Sequence, residues 1–432
     1  MHPPARLARV LRLAAAALLL PLAAACDDAA PSPLAPEIPP PPSGSSPHPD
    51  RALFLEAARA AWSYADREHN PATGWINSVA GYPYATMWDA ASGLAALYCA
   101  NGLGLLPDAE YDARMRRALA TLATVRLFDG IAPNKNYSAR TGAVAGRDDR
   151  DTTVGERGFG WSATDVGRLL VWLRIIALNQ PRFAADVRRV VDRMELEQLV
   201  ADGYLRGAQL DVDGTVRRYP EGRLGYEQYA ALGFALWGHR AERALRLGEN
   251  TFPVVVLDVP LVADRRGHDP LTSEPFVLAG LELGWSTEMR GLAERVLRVQ
   301  EERFRRTGQV TMVSEDAVPV PPYYFYYYAI NHHGRQFAVV AQDTAEVVLD
   351  EPRWISAKAA FGWHALLPGG YTRLAVETVA PARHPQKGWS SGVYERSLLP
   401  TGSENANTAA VILEAALFST SGRPLIHGPR PR

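Results

Sequence analysis

Six stretches of the chain open alike, with a polar or charged residue at the threshold of an apolar, Gly/Ala-rich run, and the pattern returns every ~50 to 85 residues. The runs start at Thr86-Met87-Trp88-Asp89 before Ala90 to Leu97, at Ser162-Ala163-Thr164-Asp165 before Val166 to Leu170, and at Tyr226-Glu227 before Gln228 to Trp237. Three more start at Ser273-Glu274-Pro275, Ser356-Ala357-Lys358 and Glu404-Asn405-Ala406-Asn407-Thr408. Thr-x-x-Asp and Ser-x-x-Asp have capping-box spacing, and Pro275 suits a first turn, so these points predict helix starts. A more polar set of helical segments lies between them: Arg51 to Glu68, Asp108 to Leu127, Phe183 to Val200, Arg240 to Leu247, Ser286 to Arg306 and Tyr371 to Val379. A helix that is apolar all round must be buried, whereas one with a charged face can stand outside it. Six inner and six outer helices predict an all-α domain over residues 51–420, closed as an (α/α)6 toroid, with residues 421–432 as a C-terminal tail.

One segment breaks the helical pattern. Tyr323-Tyr324-Phe325-Tyr326-Tyr327-Tyr328 is rich in strand-forming residues, and Val310 to Val313 and Phe337 to Val340 are the expected partners. This predicts a small β-insertion near residues 309–341. Alternate Tyr rings would share one face, either as a stacking surface for sugar rings or as a cover for the core.

The N-terminus carries a separate message. Arg6, Arg9 and Arg12 precede the apolar run Leu13 to Ala25, which is too short to span a membrane and has the layout of an export signal. It ends in Leu22-Ala23-Ala24-Ala25-Cys26, which resembles a bacterial lipobox and makes Cys26 the expected lipidation site; an Ala-x-Ala cleavage site is the plainer alternative. Residues 26–50, rich in Pro, Ser and Ala, read as a tether with no core of its own. The chain has two cysteines, so lipidation of Cys26 leaves Cys99, in the apolar run Leu94 to Ala100, as a small buried hydrophobe. Together these features place the protein in the bacterial cell envelope, lipid-anchored and facing the periplasm or exterior.

Composition narrows the chemistry. With 432 residues and 47% hydrophobic content the chain can bury one large core, and a net charge of -1 gives no nucleic-acid footprint. Asp148, Asp149 and Asp151, set among Arg147, Arg150 and Arg157, lack the pattern of a calcium loop and read as a solvated ion-pair face. His268, His332, His333, His364 and His384 come without ligand spacing, so neither a metal nor a cofactor is expected. There is no nucleophile elbow, phosphate loop or dinucleotide fingerprint. What remains is carboxylate chemistry. If the inner helices aim their N-termini at one end of the toroid, Asp89, Asp165, Glu227, Glu274 and Glu404 converge on one cavity, and paired carboxylates are what glycosidic bond cleavage requires. The plain alternative is that each acid in a first turn merely complements the helix dipole. Ten Trp and 17 Tyr, among them Trp88, Trp161, Tyr226 and Trp389 next to or near these acids, favour a carbohydrate site.

The run Lys387-Gly388-Trp389-Ser390-Ser391-Gly392-Val393-Tyr394-Glu395, followed by Ser403-Glu404-Asn405-Ala406-Asn407-Thr408, resembles the bacterial domain of unknown function 3131 family. Those proteins combine a Gly-Trp/Phe-x-x-Gly-x-Tyr-Glu run with an Asn-x-Asn-Thr helix start. The Trp88-Asp89 start, the Asp129-Gly130 loop and Tyr226-Glu227-x-Tyr229 are similar in kind, and the likeness covers Arg51 to Phe418. It implies an (α/α)6 toroid in the company of endo-β-1,2-glucanases and other toroid glycoside hydrolases, and it carries over no catalytic pair.

The expectation is thus a protein acting on a poly- or oligosaccharide by hydrolysis. Asp89 and Asp165 are the first choice of catalytic carboxylates, followed by Glu274 and Glu404. Trp88, Asn134, Lys135, Trp161, Tyr226, Glu227, Trp389, Asn405 and Asn407 are the expected sugar contacts. The alternatives are a carbohydrate-binding or envelope-assembly protein without catalysis, and a lyase or epimerase using a Tyr or His base such as His332 or His333 near Tyr328.

Overall fold

A computed structural model describes residues 46–146, 155–266, 270–321, 323–331, 333–341 and 353–428. The export signal, Cys26, most of the tether, Arg147 to Asp151, His268 and His332 lie outside the described residues.

Each of the six apolar runs is a helix start. They begin α2 (Met87–Gly102), α4 (Ala163–Asn179), α6 (Tyr226–Ala235), α7 (Glu274–Leu278), α9 (Ala357–Leu366) and α11 (Ala406–Ser421). These helices contact one another in the cyclic order α2, α4, α6, α7, α9, α11 and back to α2, so the inner ring is closed. Small residues let neighbours approach: a Cβ on Gly167 would lie 2.5 Å from the Ala230 Cβ, and one on Gly233 would lie 2.1 Å from the Gly167 carbonyl oxygen. The fourth run needs a π-helical turn, Ala279–Leu283, to complete its length.

Outside the ring stand α1 (Arg51–Arg67), α3 (Asp108–Leu122), α5 (Ala184–Val191), α8 (Thr287–Thr307) and α10 (Gly370–Thr378). In α8 the buried residues Met289, Leu292, Ala293, Val296, Val299 and Gln300 form one stripe, and the Arg- and Glu-rich remainder faces outward. The architecture is an (α/α)6 toroid.

Three details differ from the periodicity reading. Arg240 to Leu247 is a set of turns rather than an outer helix. Gly238 and Gly248 bound the segment, and the amides of Arg243 and Ala244 both donate to the Gly203 carbonyl, which draws it into turns. The outer position is filled instead by a hairpin of β3 (Thr251–Val256) and β4 (Val259–Asp264), which follows an earlier hairpin of β1 (Tyr204–Leu210) and β2 (Val216–Pro220). Second, α3 and α5 stop early, where Arg193 donates to the carbonyls of Leu122 and Val125. Third, the β-insertion consists of β5 (Glu315–Ala317), β6 (Tyr324–Ile330) and β7 (Gln336–Ala341). The acidic pair Glu315-Asp316 pairs with the Tyr-rich strand in place of Val310 to Val313, whose Met312 and Val313 carbonyls accept from Ser356 and Ser273.

At the far end of the ring, His48 donates its amide to Ser419 of α11 and its ring Nε2 to the His364 carbonyl of α9. Asp50 accepts from His364 Nε2 at 2.8 Å and pairs with Arg373 at 2.6 Å. Donor atoms of His48, Asp50 and His364 lie within 4.8 Å of one another, but the ring nitrogens are already committed to these bonds, to Thr372 and to the Asp50 amide. The cluster clamps the chain where it enters α1. The C-terminal residues Leu425 and Ile426 are also buried, so packing continues beyond α11. No described helix is long and apolar enough to cross a membrane.

Candidate active site

The N-termini of the inner helices meet at one end of the ring, and their side chains interlock there. Glu274, in the first turn of α7, is fully buried; its oxygens accept from Asn407 Nδ2 of α11 at 2.5 Å and pair with Lys358 Nζ of α9 at 2.5 Å. Tyr226 of α6 reaches Glu274 with its hydroxyl at 3.5 Å and Thr272 at 3.3 Å. Lys358 also faces Asp316 at 3.3 Å, which in turn accepts from Trp354 Nε1 and Ser356 Oγ at 2.9 Å. Burial pushes Asp316 up to about 6 against the pull of Lys358. A buried ammonium between two carboxylates holds only because every member is paired, which makes this the rigid floor of the site.

Above the floor, Asp89, Asp165, Glu221 and Arg223 keep part of their surface open. Asp89 closes a complete capping box: its Oδ2 accepts from the Thr86 amide and hydroxyl, both at 2.9 Å, and the Thr86 hydroxyl accepts from the Asp89 amide at 3.2 Å. Burial raises its pKa, while the Thr86 hydrogen bonds, Arg168 and Lys358 pull it down.

Asp165 stands at the matching position of α4 and behaves otherwise. Ser162 Oγ accepts from the Asp165 amide at 3.1 Å, but the return arm of the box is missing. A residue from the β2–α6 loop intervenes: Glu221 Oε2 accepts from the Thr164 amide at 2.8 Å and lies 3.4 Å from Ser162 Oγ. The Asp165 carboxyl thus lacks the bond to the Ser162 amide that would close the box. Burial first and the Glu221 charge second push it up to about 7, with a further push from Asp89 and an opposing pull from Ser162 and Arg223.

The β-insertion supplies the third wall. Glu315 of β5 is buried, 3.8 Å from Arg223 Nη1, and pushed up to about 7 by burial and by the Glu274 charge. Arg223 donates to the Tyr326 hydroxyl and lies over its ring at 4.9 Å, and Tyr324 beside it is half-open.

Beneath the floor, inside the ring, Arg168 lies 3.3 Å from Glu414 and 3.8 Å from Glu282 with no exposure of any of the three. Its guanidinium sits 4.8 Å below the Trp88 ring. Burial drives both carboxyls up, so one proton and one arginine neutralise the pair.

The sequence-predicted residues divide accordingly. Asp89, Asp165, Trp88, Tyr226, Glu274 and Asn407 come together around this site. Asn405 caps α11 by accepting from the Thr408 amide at 2.7 Å. Glu404, half-exposed, is held by its backbone to Ala80 and Ser390. Glu227 is fully buried and paired at 2.6 Å with Arg266, which also grips Asp264, so it faces the hairpins rather than the cavity. Trp161 donates to the Arg206 carbonyl and Trp389 to the Ala57 carbonyl; both rings are buried in packing. Asn134 is likewise enclosed, its Oδ1 filling the space beside Gly158. Lys135 bonds Gln209 at 2.7 Å between the rings of Phe159 and Tyr219. His333 is exposed on the β6–β7 turn.

Glu221, Arg223, Glu315 and Lys358 are the functional candidates that periodicity missed. A signal existed for two of them: Lys358 is a lone cation in an apolar helix, and Glu315-Asp316 is an acid pair between apolar stretches, and buried charges in such company are held for a purpose. Glu221 carries no such signal.

Residues 56–422 match the family described as "Protein of unknown function (DUF3131)". No curated protein matches the sequence. Among solved structures, an endo-β-1,2-glucanase from Chitinophaga pinensis in complex with sophorotriose and glucose is similar at a TM-score of 0.59 and 11% identity, over 87% of this chain and 93% of that one. A glucoamylase-like protein from Bacteroides fragilis gives 0.61 at 14% identity, over 89% and 94%. The endo-β-1,2-glucanase of Talaromyces funiculosus with sophorose gives 0.57 at 11% identity, over 88% and 86%. At such identities the likeness is one of fold.

Proposed function

The chain belongs to the DUF3131 family of (α/α)6-toroid proteins, and from that premise we propose that it hydrolyses glycosidic bonds in a poly- or oligosaccharide, with Asp165 as proton donor. One observation carries the reading. Asp165 occupies a capping position yet does not cap, stays partly open, and is held near 7 by burial and by Glu221. A carboxylic acid still protonated near neutral pH is what departure of a sugar alkoxide requires.

In this reading Asp165 transfers its proton to the glycosidic oxygen as the C–O bond breaks. Glu221 keeps the proton on Asp165 beforehand and, being anchored by the Thr164 amide, stays in place as the charge changes. Asp89 is the second carboxylate. Its Oδ2 is spent on Thr86 while Oδ1 takes no hydrogen bond among the described residues, and the charges of Lys358 and Arg168 favour its ionised form. It either activates water or answers the positive charge that develops on the sugar ring. The solved relatives that hold sophorose and sophorotriose make β-1,2-linked glucans the first substrates to test. Product analysis of the soluble domain against a panel of neutral and charged glycans tests the reading; release of no oligosaccharide from any member overturns it.

We also propose that the protein is a periplasm-facing lipoprotein anchored at Cys26. The clamp of His48 and Asp50 lies against the C-terminal ends of α9 and α11, so the chain enters the toroid at the end opposite the carboxylates. Cys26→Ser should move the protein from the membrane to the soluble fraction, and unchanged fractionation counts against the anchor.

A further inference from the structure

The three-stranded insertion has two unlike faces. Strand pairing sets Glu315 opposite Tyr326, Asp316 opposite Phe325 and Ala317 opposite Tyr324. Because side chains alternate along a strand, Glu315, Tyr324, Tyr326 and Tyr328 share one face, while Asp316, Phe325 and Tyr327 share the other. The second face joins the core, where Tyr327 donates to Glu395 at 2.6 Å. The first does not: Tyr326, Tyr328 and Ala338, with Tyr324 and Val340 against them, form a separate cluster.

That separate face carries an unfinished polar group. Glu315 retains 6% of its surface and has the Tyr326 hydroxyl beside its carboxyl, yet its Oε2 has no hydrogen-bond partner among the described residues, and Arg223 Nη1 stands 3.8 Å away. A buried carboxylate oxygen left without a donor is costly, so it calls for a visitor. Next to it lies the half-open ring of Tyr324, set nearly perpendicular to Tyr326 at 6.2 Å. The face stands beside Asp165: Glu221, on the Thr164 amide next to Asp165, lies two residues before Arg223, which donates to the Tyr326 hydroxyl and stands 3.8 Å from Glu315.

We propose that Glu315 and Tyr324 form a pyranose-binding subsite beside the bond that Asp165 protonates, an inference that rests on the hydrolase reading. The sugar's C–H face lies on the Tyr324 ring, and one of its hydroxyls donates to Glu315 Oε2 while a neighbouring hydroxyl accepts from Arg223. A carboxylate with a guanidinium alongside matches a pair of adjacent hydroxyls, each of which both donates and accepts. The alternating strand pattern explains why the subsite is rigid: the same backbone that presents Tyr324 and Glu315 is anchored from behind by Asp316 and Tyr327.

The test is binding rather than turnover. In the full mature chain carrying Asp165→Asn, sophorotriose is titrated by calorimetry, with further variants Tyr324→Ala, Tyr324→Phe and Glu315→Gln. Tyr324→Ala and Glu315→Gln should each raise Kd by about tenfold, while Tyr324→Phe, which keeps the flat ring, should change it by no more than about threefold. Unchanged Kd in both of the first two variants overturns the subsite, as does an equal loss in Tyr324→Phe and Tyr324→Ala, which points to a packing defect. Binding that depends on Tyr324, together with a parent that cleaves no glycan, leaves the subsite standing and removes the hydrolase. If no oligosaccharide that the parent cleaves is bound through Tyr324, the hydrolase stands and the subsite falls.

Discussion

At the start of α2, Asp89 folds back on Thr86 and closes the box, so that helix dipole, amide and hydroxyl all draw on one carboxylate. At the start of α4, the same spacing of Ser162 and Asp165 leaves the box open, and Glu221, 57 positions after Thr164 in the chain, takes the Thr164 amide. Two starts that look equivalent in sequence therefore hold acids with different duties. A cap closed by its own helix commits one carboxylate oxygen and leaves the other, whereas a start capped in part from elsewhere keeps the local acid off the backbone and adds a second negative charge beside it. The difference concentrates proton chemistry on α4.

The largest expected effect is on turnover at the open box. Asp165→Asn removes a proton but no cap, so turnover on a cleaved glycan should fall by at least about 100-fold while stability changes by less than about 1 kcal/mol. Retained turnover with lost stability would reverse the comparison and make Asp165 a structural residue.

Alanine at the two starts should then separate them on stability. Asp89→Ala deletes both bonds to Thr86 and should cost about 0.5–2 kcal/mol in chemical denaturation, with a smaller loss for Asp165→Ala, whose helix keeps Ser162 and Glu221 as caps. Equal losses would mean that the open box is a cap after all.

The smallest effect is the most specific. Activity that needs protonated Asp165 should decline as pH rises through about 7. Glu221 raises that value through its charge, so Glu221→Gln should move the basic limb of the pH–activity profile to lower pH while Gln can still accept from Thr164. The sign for stability is the same: from the ordinary 3.8 up to about 7 the folded chain holds a proton on Asp165 that the unfolded chain has lost, so stability falls as pH rises through that window, and Glu221→Gln should flatten the fall. A basic limb that stays in place in this variant would disconnect Glu221 from the proton.

The inner ring was legible in advance because burial on every side leaves its mark on every side of a helix. Runs such as Ala406 to Leu417 hold few polar residues between cap and end, and their lone charges, Arg168, Glu282, Lys358 and Glu414, are the ones found paired inside. The outer segment Arg240 to Leu247 misled because its apolar spacing is also that of a turn with Ala241, Ala244 and Leu247 tucked in, and eight residues cannot decide between them. Trp161 and Trp389 misled for a related reason: an indole beside an acid in sequence is as well suited to filling a core as to meeting a sugar, and the local sequence is alike in both cases.

What the sequence determined by itself was thus the ring and its polarity. Six apolar runs with polar thresholds dictate six buried helices, and similar spans between them return each chain reversal to the same end. The tertiary structure decided which of the gathered acids are free to react. Whether a carboxylate caps, pairs or remains open depends on which amide, ammonium or second carboxylate reaches it. Those partners come from residues as distant as Glu221 for Asp165, Lys358 for Glu274 and Arg223 for Glu315, where contact is set by the closing of the ring and leaves no mark in local spacing.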